Sequence, residues 1–281
     1  MSRPERPSRP SRRPKPEARP SPRSFRPARK DDTSWEKSAD WYDRIIGAQG
    51  SELYQRVVIP RALELLAPQP RERILDVGCG QGVFTRAMSA AGARVTGIDL
   101  SRSLVRRARG YPSDLPVQYF ERDAADLGGL GPFDAASSIL ALQNMEHLPK
   151  VALALNRVLE PGGRMLWVLN HPTFRIPKQT SWGWDEERGI QYRRLDAYAS
   201  SLQIPILMHP GKAQSESTTS FHHSLQTLSQ AAFQAGFVLG GLEEWCSDKE
   251  SEPGPRARAE NKARQEFPLF IGLLWIKRGR A

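Results

Sequence analysis

The apolar positions of this chain fall into short runs separated by helical stripes. Ile74, Leu75 and Val77 make a run with the length and character of a buried strand, and Gly78, Gly80 and Gly82 follow at alternate positions. Good helix formers then occupy Val83 to Ala91, Arg94 to Ile98 reads as a second strand, and Val117 to Phe120 as a third. Further on, Val151, Leu155, Val158 and Leu159 share one helical face that Pro161-Gly162-Gly163 ends, and Arg164 to Asn170 predicts another strand. Leu225, Leu228 and Ala232 form a later helical face with Gly236 as terminator. Phe237 to Trp245 and Pro268 to Lys277 predict two more strands joined by a long charged loop. Upstream, Ile59, Leu63 and Leu66 have helical spacing before the break at Pro68-Gln69-Pro70. Thr33-Ser34-Trp35-Glu36 has the spacing of a capping box, with Thr33 as N-cap and Glu36 reaching back, opening a helix through Trp41, Tyr42 and Asp43. Strands alternating with helices predict a parallel sheet that binds ligands at the carboxyl ends of its strands.

The glycine turn carries the chemistry. Glycines there let the backbone turn tightly and approach a ligand with no Cβ in the way. The turn delivers a helix N-terminus, with unpaired N–H groups, towards that ligand. Asp99, ending the second strand, is placed to accept hydrogen bonds from the two hydroxyls of a ribose. A dinucleotide and an adenosyl ligand fit these features equally well, and three details separate them. The dinucleotide fingerprint needs its third glycine where Val83 stands. Asp76, just before the turn, would repel a pyrophosphate and suit a cationic ammonium or sulfonium group. Asp123 follows the third strand and could accept from an adenine amino group. The ligand these acids describe is zwitterionic, carries a ribose and ends in adenine.

At these residues the chain resembles the class I S-adenosylmethionine-dependent methyltransferases, and within them the small-molecule branch (methyltransferase type 11) that includes the ubiquinone and menaquinone biosynthesis enzymes. The resemblance covers roughly residues 41–278 and implies S-adenosyl-L-methionine as cofactor. It assigns Asp76, Gly78, Gly80 and Gly82 to the methionine part, Asp99 with Leu100 to the ribose, and Asp123 with Ala124 to the adenine. The stretch from Pro132 to Leu148 looks like the family's fourth strand and its exit, which adds Ser138 to the cofactor set. The implied fold is α/β and Rossmann-like: a seven-stranded, mostly parallel sheet with helices on both faces and the seventh strand antiparallel. The implied activity is O- or C-methylation of a small organic acceptor. The alternatives are an RNA methyltransferase using its basic terminus, or a nicotinamide-dependent oxidoreductase, which Asp76 and Val83 disfavour.

Charge and composition change this picture at one end. Residues 1–30 hold eleven Lys and Arg against two Glu, which is +9 of the chain's formal +10. With eight prolines and almost no apolar residues, that stretch cannot offset its ordering entropy, so residues 1–32 are expected to be a disordered basic tail ahead of one domain over 33–281. A weak contact with polyanions is its expected role. It has the pattern of neither a signal nor a transit peptide, no run of 18 apolar residues occurs, and the two cysteines suggest no disulfide framework. A soluble, cytoplasmic enzyme is expected, with no metal.

Residues 171–220 are too many for an ordinary connection and predict a lid on the substrate side. Their aromatic rings, Trp182, Trp184 and Tyr192 with Phe174 and Tyr198, are candidate acceptor contacts, as is Tyr42 from the preceding helix. If the acceptor is a hydroxyl or an activated ring carbon, a base is needed. His171, after the fifth strand, ranks first for that role and His147, after the fourth, second. His222 and His223 are expected to open the helix after the lid.

Overall fold

The computed structural model describes residues 35–36, 39, 47, 49–112, 114–207 and 217–279. The expected tail, Thr33 of the capping box and Tyr42 lie outside them. Among the described residues a seven-stranded sheet forms from β1 (Arg73–Val77), β2 (Arg94–Asp99), β3 (Val117–Glu121), β4 (Phe133–Ile139), β5 (Leu159–Asn170), β10 (Phe237–Trp245) and β11 (Phe270–Lys277), in the order β10-β11-β5-β4-β1-β2-β3. The pairs β1–β2, β2–β3, β1–β4 and β4–β5 are parallel, and β11 runs antiparallel to both its neighbours. Six strands therefore point one way and the last opposes them, the Rossmann-like arrangement expected. β5 begins earlier than the sequence predicts, because the Pro161-Gly162-Gly163 turn belongs to a register shift against β4 rather than to a separate loop.

Alternation along the strands divides the core in two. Ile74, Val95, Ala135, Leu166 and Val168 face α1 (Ile59–Leu66) and α2 (Val83–Ala90), through Ala62, Leu66, Phe84 and Met88. Leu75, Val77, Ala136, Trp167 and Trp275 face α4 (Leu148–Val158) and α5 (Leu225–Gln234), through Val151, Leu155 and Leu228. Between Asp99 and β3 runs α3 (Arg102–Gly110), with Ser101 as N-cap accepting from the Leu104 N–H. Trp167 and Trp275, both fully buried, meet edge to face at 5.6 Å, an arrangement that adds about 0.5–1.5 kcal/mol to their area burial.

Two expectations are corrected, and two more segments are seen in detail. The charged loop before β11 contains α6 (Ala257–Glu266), a surface helix that buries only Ala263. His222 closes a strand and α5 takes Ser224 as its N-cap, so neither histidine opens that helix. Glu36 bonds Ser101 and Ser103, while Thr33, its expected capping-box partner, lies outside the described residues. The long segment after β5 is built of two hairpins, β6 (Thr180–Asp185) with β7 (Ile190–Leu195), and β8 (Leu202–Leu207) with β9 (Ser217–His222).

Candidate functional site

The chain order reverses between β1 and β4, which lie side by side while their onward connections run to opposite edges of the sheet. A crevice at the carboxyl ends of the strands is the geometric result. A cavity of about 730 Å³ occupies it. Each strand contributes where it ends: Gly78 and Gly80 after β1, Asp99 and Leu100 at β2, Arg122 to Ala125 after β3, residues 139–147 after β4, and Asn170 at β5.

The glycine turn is shaped by its neighbours. Gly78, Gly80 and Gly82 all have positive φ (69°, 56° and 81°). A Cβ on Gly78 would come within 2.5 Å of the Ala141 Cβ, and one on Gly82 would overlap the Tyr119 hydroxyl. Gly82 is thus a packing glycine that opens α2, while Gly78 and Gly80 present backbone to the cavity. Asp99 ties this turn to the next: its Oδ2 accepts the Gly80 N–H (2.9 Å) and its Oδ1 the Ser101 N–H (2.8 Å). Each oxygen keeps a lone pair for a ligand hydroxyl. Burial pushes the Asp99 carboxyl up, against the pull of those two bonds, and the Glu36 charge adds to the rise. Asp123, with Ala124, lines the cavity and accepts the Ala125 N–H at 2.8 Å.

Asp76 lies beneath the turn and not in the cavity wall. Thr85 Oγ1 donates to its Oδ2 (2.6 Å) and Ser137 Oγ to its Oδ1 (2.9 Å), so its carboxylate braces β1, β4 and α2 from inside the core. Ser138 faces the layer of α4 and α5, fully buried, and does not reach the cavity. His171 is corrected as a candidate base: it is 1% exposed and absent from the cavity wall. Its Nδ1 accepts from the N–H groups of Thr173 (3.1 Å) and Phe174 (3.3 Å), which leaves Nε2–H to donate to Glu244 Oε1 at 2.7 Å. Burial lowers its pKa, partly offset by Glu244. It is a clasp between the end of β5 and β10. His147 does line the cavity, half-exposed at the start of α4, with Glu146 3.9 Å from its Nε2.

The aromatic rings of the first hairpin are corrected as well. None of Trp182, Trp184 and Tyr192 lines the cavity. Trp182 meets Phe267 edge to face at 5.6 Å, Trp184 carries the Arg256 guanidinium at 4.6 Å, and Tyr192 packs over Gly183. The two tryptophans hold the hairpin to the body, and Tyr192 packs within the hairpin itself. Besides Ile176, Pro177, Ile206 and Ser220, the segment sends three cations and a hydroxyl into the cavity wall: Arg175, Lys178, Arg193 and Thr180. These, with Trp35, Tyr54, Gln143, Asn144 and Phe270, are wall residues that sequence reasoning missed. The Arg175 and Lys178 charges in an otherwise apolar stretch were the available signal.

Residues 51–204, more than half of the chain, match the family model described as a methyltransferase domain. The chain belongs to that family. Among similar curated proteins, the ubiquinone biosynthesis O-methyltransferase of Xanthomonas oryzae pv. oryzae is 39% identical over 100 residues, 33% of this chain and 41% of that protein. The enzyme of the same name from Xanthomonas campestris pv. campestris is 34% identical over 143 residues, covering 47% and 59% respectively. The chain thus spans about half the length of the curated relatives it matches. An S-adenosylmethionine-dependent methyltransferase of known structure from Mesorhizobium loti superposes with a TM-score of 0.63 at 26% identity, over 82% of this chain and all of that one. No helix among the described residues of this methyltransferase domain is long and apolar enough to cross a membrane.

Proposed function

We propose that the chain is an S-adenosylmethionine-dependent methyltransferase that acts on a hydroxyl of a small organic acceptor. The observation that carries this reading is the cavity at the strand ends, where the Gly78–Gly80 backbone, Asp99 and Asp123 converge in a domain of the methyltransferase family. The residues fit the cofactor. Backbone lies open where a Cβ would collide, a carboxylate with free lone pairs stands at the end of β2, and the volume is in the range of small-molecule sites. Asp99 is assigned to the ribose hydroxyls, Leu100 to their apolar side, Asp123 and Ala124 to the adenine, and Gly78 and Gly80 to the methionine end.

The chemistry that bound S-adenosylmethionine supplies is a methyl carbon on a positively charged sulfur, an electrophile for an in-line nucleophile. The chain's own residues position and deprotonate. Holding an acceptor against the methyl group contributes on the order of 7–11 kcal/mol in favourable intramolecular systems. His147, at the cavity wall beside Glu146, takes the proton of the acceptor hydroxyl, in place of the buried His171. The RNA-directed alternative rests on the basic tail, outside the described residues, and the nicotinamide alternative is set aside by family membership.

Calorimetric titration with S-adenosylhomocysteine tests the reading. The wild-type chain should bind it, and Asp99→Ala should bind at least about tenfold more weakly, the loss expected for charged hydrogen bonds of about 1.5–3 kcal/mol. Binding of NADH in its place would overturn the assignment.

A further inference from the structure

Three cations from the segment after β5 line the cavity. Arg175 and Lys178 follow β5, and Arg193 reaches in from β7. Among the described residues none of the three is paired with a carboxylate. Lys178 Nζ donates to the Pro205 carbonyl (2.8 Å). Arg193 donates to the Phe174 carbonyl and to Thr180 Oγ1, both at 2.8 Å, and its pKa is lowered by burial. Arg175 stands apart. Its guanidinium rests 5.0 Å from the centre of the Phe270 ring, and its Nη1 is buried with no hydrogen-bond partner. Burial lowers its pKa, and the Arg193 charge beside it lowers it further.

Such an arrangement is costly without an anion. A buried donor left unpaired costs about 1–3 kcal/mol, and a second guanidinium alongside adds repulsion. Hydrogen bonds to the hairpin explain Arg193 as a structural residue. They do not explain Arg175, a residue of the cavity wall whose Nη1, buried behind that wall, has no partner. The planar fork of arginine matches a carboxylate in a bidentate pair. Ile176, Ile206 and Phe270 supply apolar wall for the rest of a ligand.

We infer that the methyl acceptor is a small organic acid, held by its carboxylate on Arg175 with Arg193 and Lys178 supplying further positive charge. Held there, its body lies along the apolar wall. This rests on the methyltransferase reading for the word acceptor, but the anion site can be tested by itself.

The full-length protein, free and loaded with S-adenosylhomocysteine, is titrated at fixed ionic strength with 4-hydroxybenzoate, the neutral 4-hydroxybenzamide and phenyl phosphate. The acid should bind at least about tenfold more tightly than the amide. Arg175→Gln should erase that preference while S-adenosylhomocysteine affinity, the control for folding, stays within twofold, and Arg175→Lys should restore part of it. Equal affinity for acid and amide, no binding of the acid, tighter binding of the phosphate ester, or an acid preference that survives Arg175→Gln would each overturn the carboxylate site. Failure of S-adenosylhomocysteine to bind, with the acid preference intact on the free protein, would instead remove the cofactor reading and leave the anion site standing.

Discussion

Asp76 is a carboxylate with no water to solvate it, and its titration follows from that. Burial, against the pull of the Thr85 and Ser137 hydroxyls and with help from the Asp99 charge, pushes it up to about 6 from 3.8. Between those values the folded chain holds a proton that the unfolded chain has released. The stability linked to that proton is fully present below pH 3.8 and is lost as pH rises through 6. The loss amounts to about 3 kcal/mol at 1.36 kcal/mol per pKa unit. Asp76→Asn fits the same hydroxyls without ionising. Its stability relative to wild type, from urea titrations, should therefore improve by up to about 3 kcal/mol between pH 4 and pH 7. A difference that stays flat over that range would show that the buried carboxyl is not the source. The sequence marks this residue as special without saying how: Asp76 alternates with Leu75 and Val77, so it faces the core layer under α2, a matter of strand parity and not of motif. His171 misled for a related reason. Its place at a strand end is right, but its ring turns to Glu244 across β10 and to the two N–H groups that follow it, and no local pattern encodes that turn.

At the scale of elements, the parallel core was legible because its strands are apolar runs and its helices carry regular stripes. α6 was not, since ARAENKARQE has almost no apolar stripe and is held by polar bonds such as Ser251 Oγ to Glu260 (2.5 Å). The first hairpin was hidden similarly, its strands half-exposed and mixing Trp and Tyr with Arg, Asp and Gln. The cofactor side of the cavity follows from motif, while its cationic side depends on how a hairpin folds back. One contact between distant segments shows such dependence at a helix end. Glu36 accepts from Ser101 Oγ (2.6 Å), from the Ser103 N–H (2.9 Å) and from Ser103 Oγ (2.5 Å), at the positive end of α3. Although burial acts in the opposite direction, these bonds hold its carboxyl below 4.5. The associated stability is present above pH 4.5 and lost as pH falls below it. Glu36→Gln should cost about 0.5–1 kcal/mol at pH 7, the low end for a cap because the group is solvent-exposed, and progressively less as pH falls below 4.5. The same variant should weaken S-adenosylhomocysteine several-fold, since Trp35 beside it lines the cavity and Ser101 also serves Asp99. A cost that does not fall with pH would place the contribution elsewhere.

For the whole molecule, charge and chemistry are separated along the chain. Removing residues 1–30 takes the formal charge from +10 to +1, whereas the described residues of the cavity wall lie at position 35 or beyond. Attraction to a polyanion scales with the cations it displaces, so its salt dependence measures how many are engaged. Deletion of residues 1–30 should shift elution from heparin to markedly lower salt and flatten the salt dependence of RNA binding. Neither the affinity for S-adenosylhomocysteine nor the transfer to a small acceptor should change by more than about twofold, because the match to the methyltransferase domain begins at residue 51. Transfer that fell together with heparin binding would mean that the basic segment takes part in holding the acceptor. Since that acceptor is inferred to be an anion, the effect would then weaken as salt is raised, whereas a structural role of the segment would be indifferent to salt.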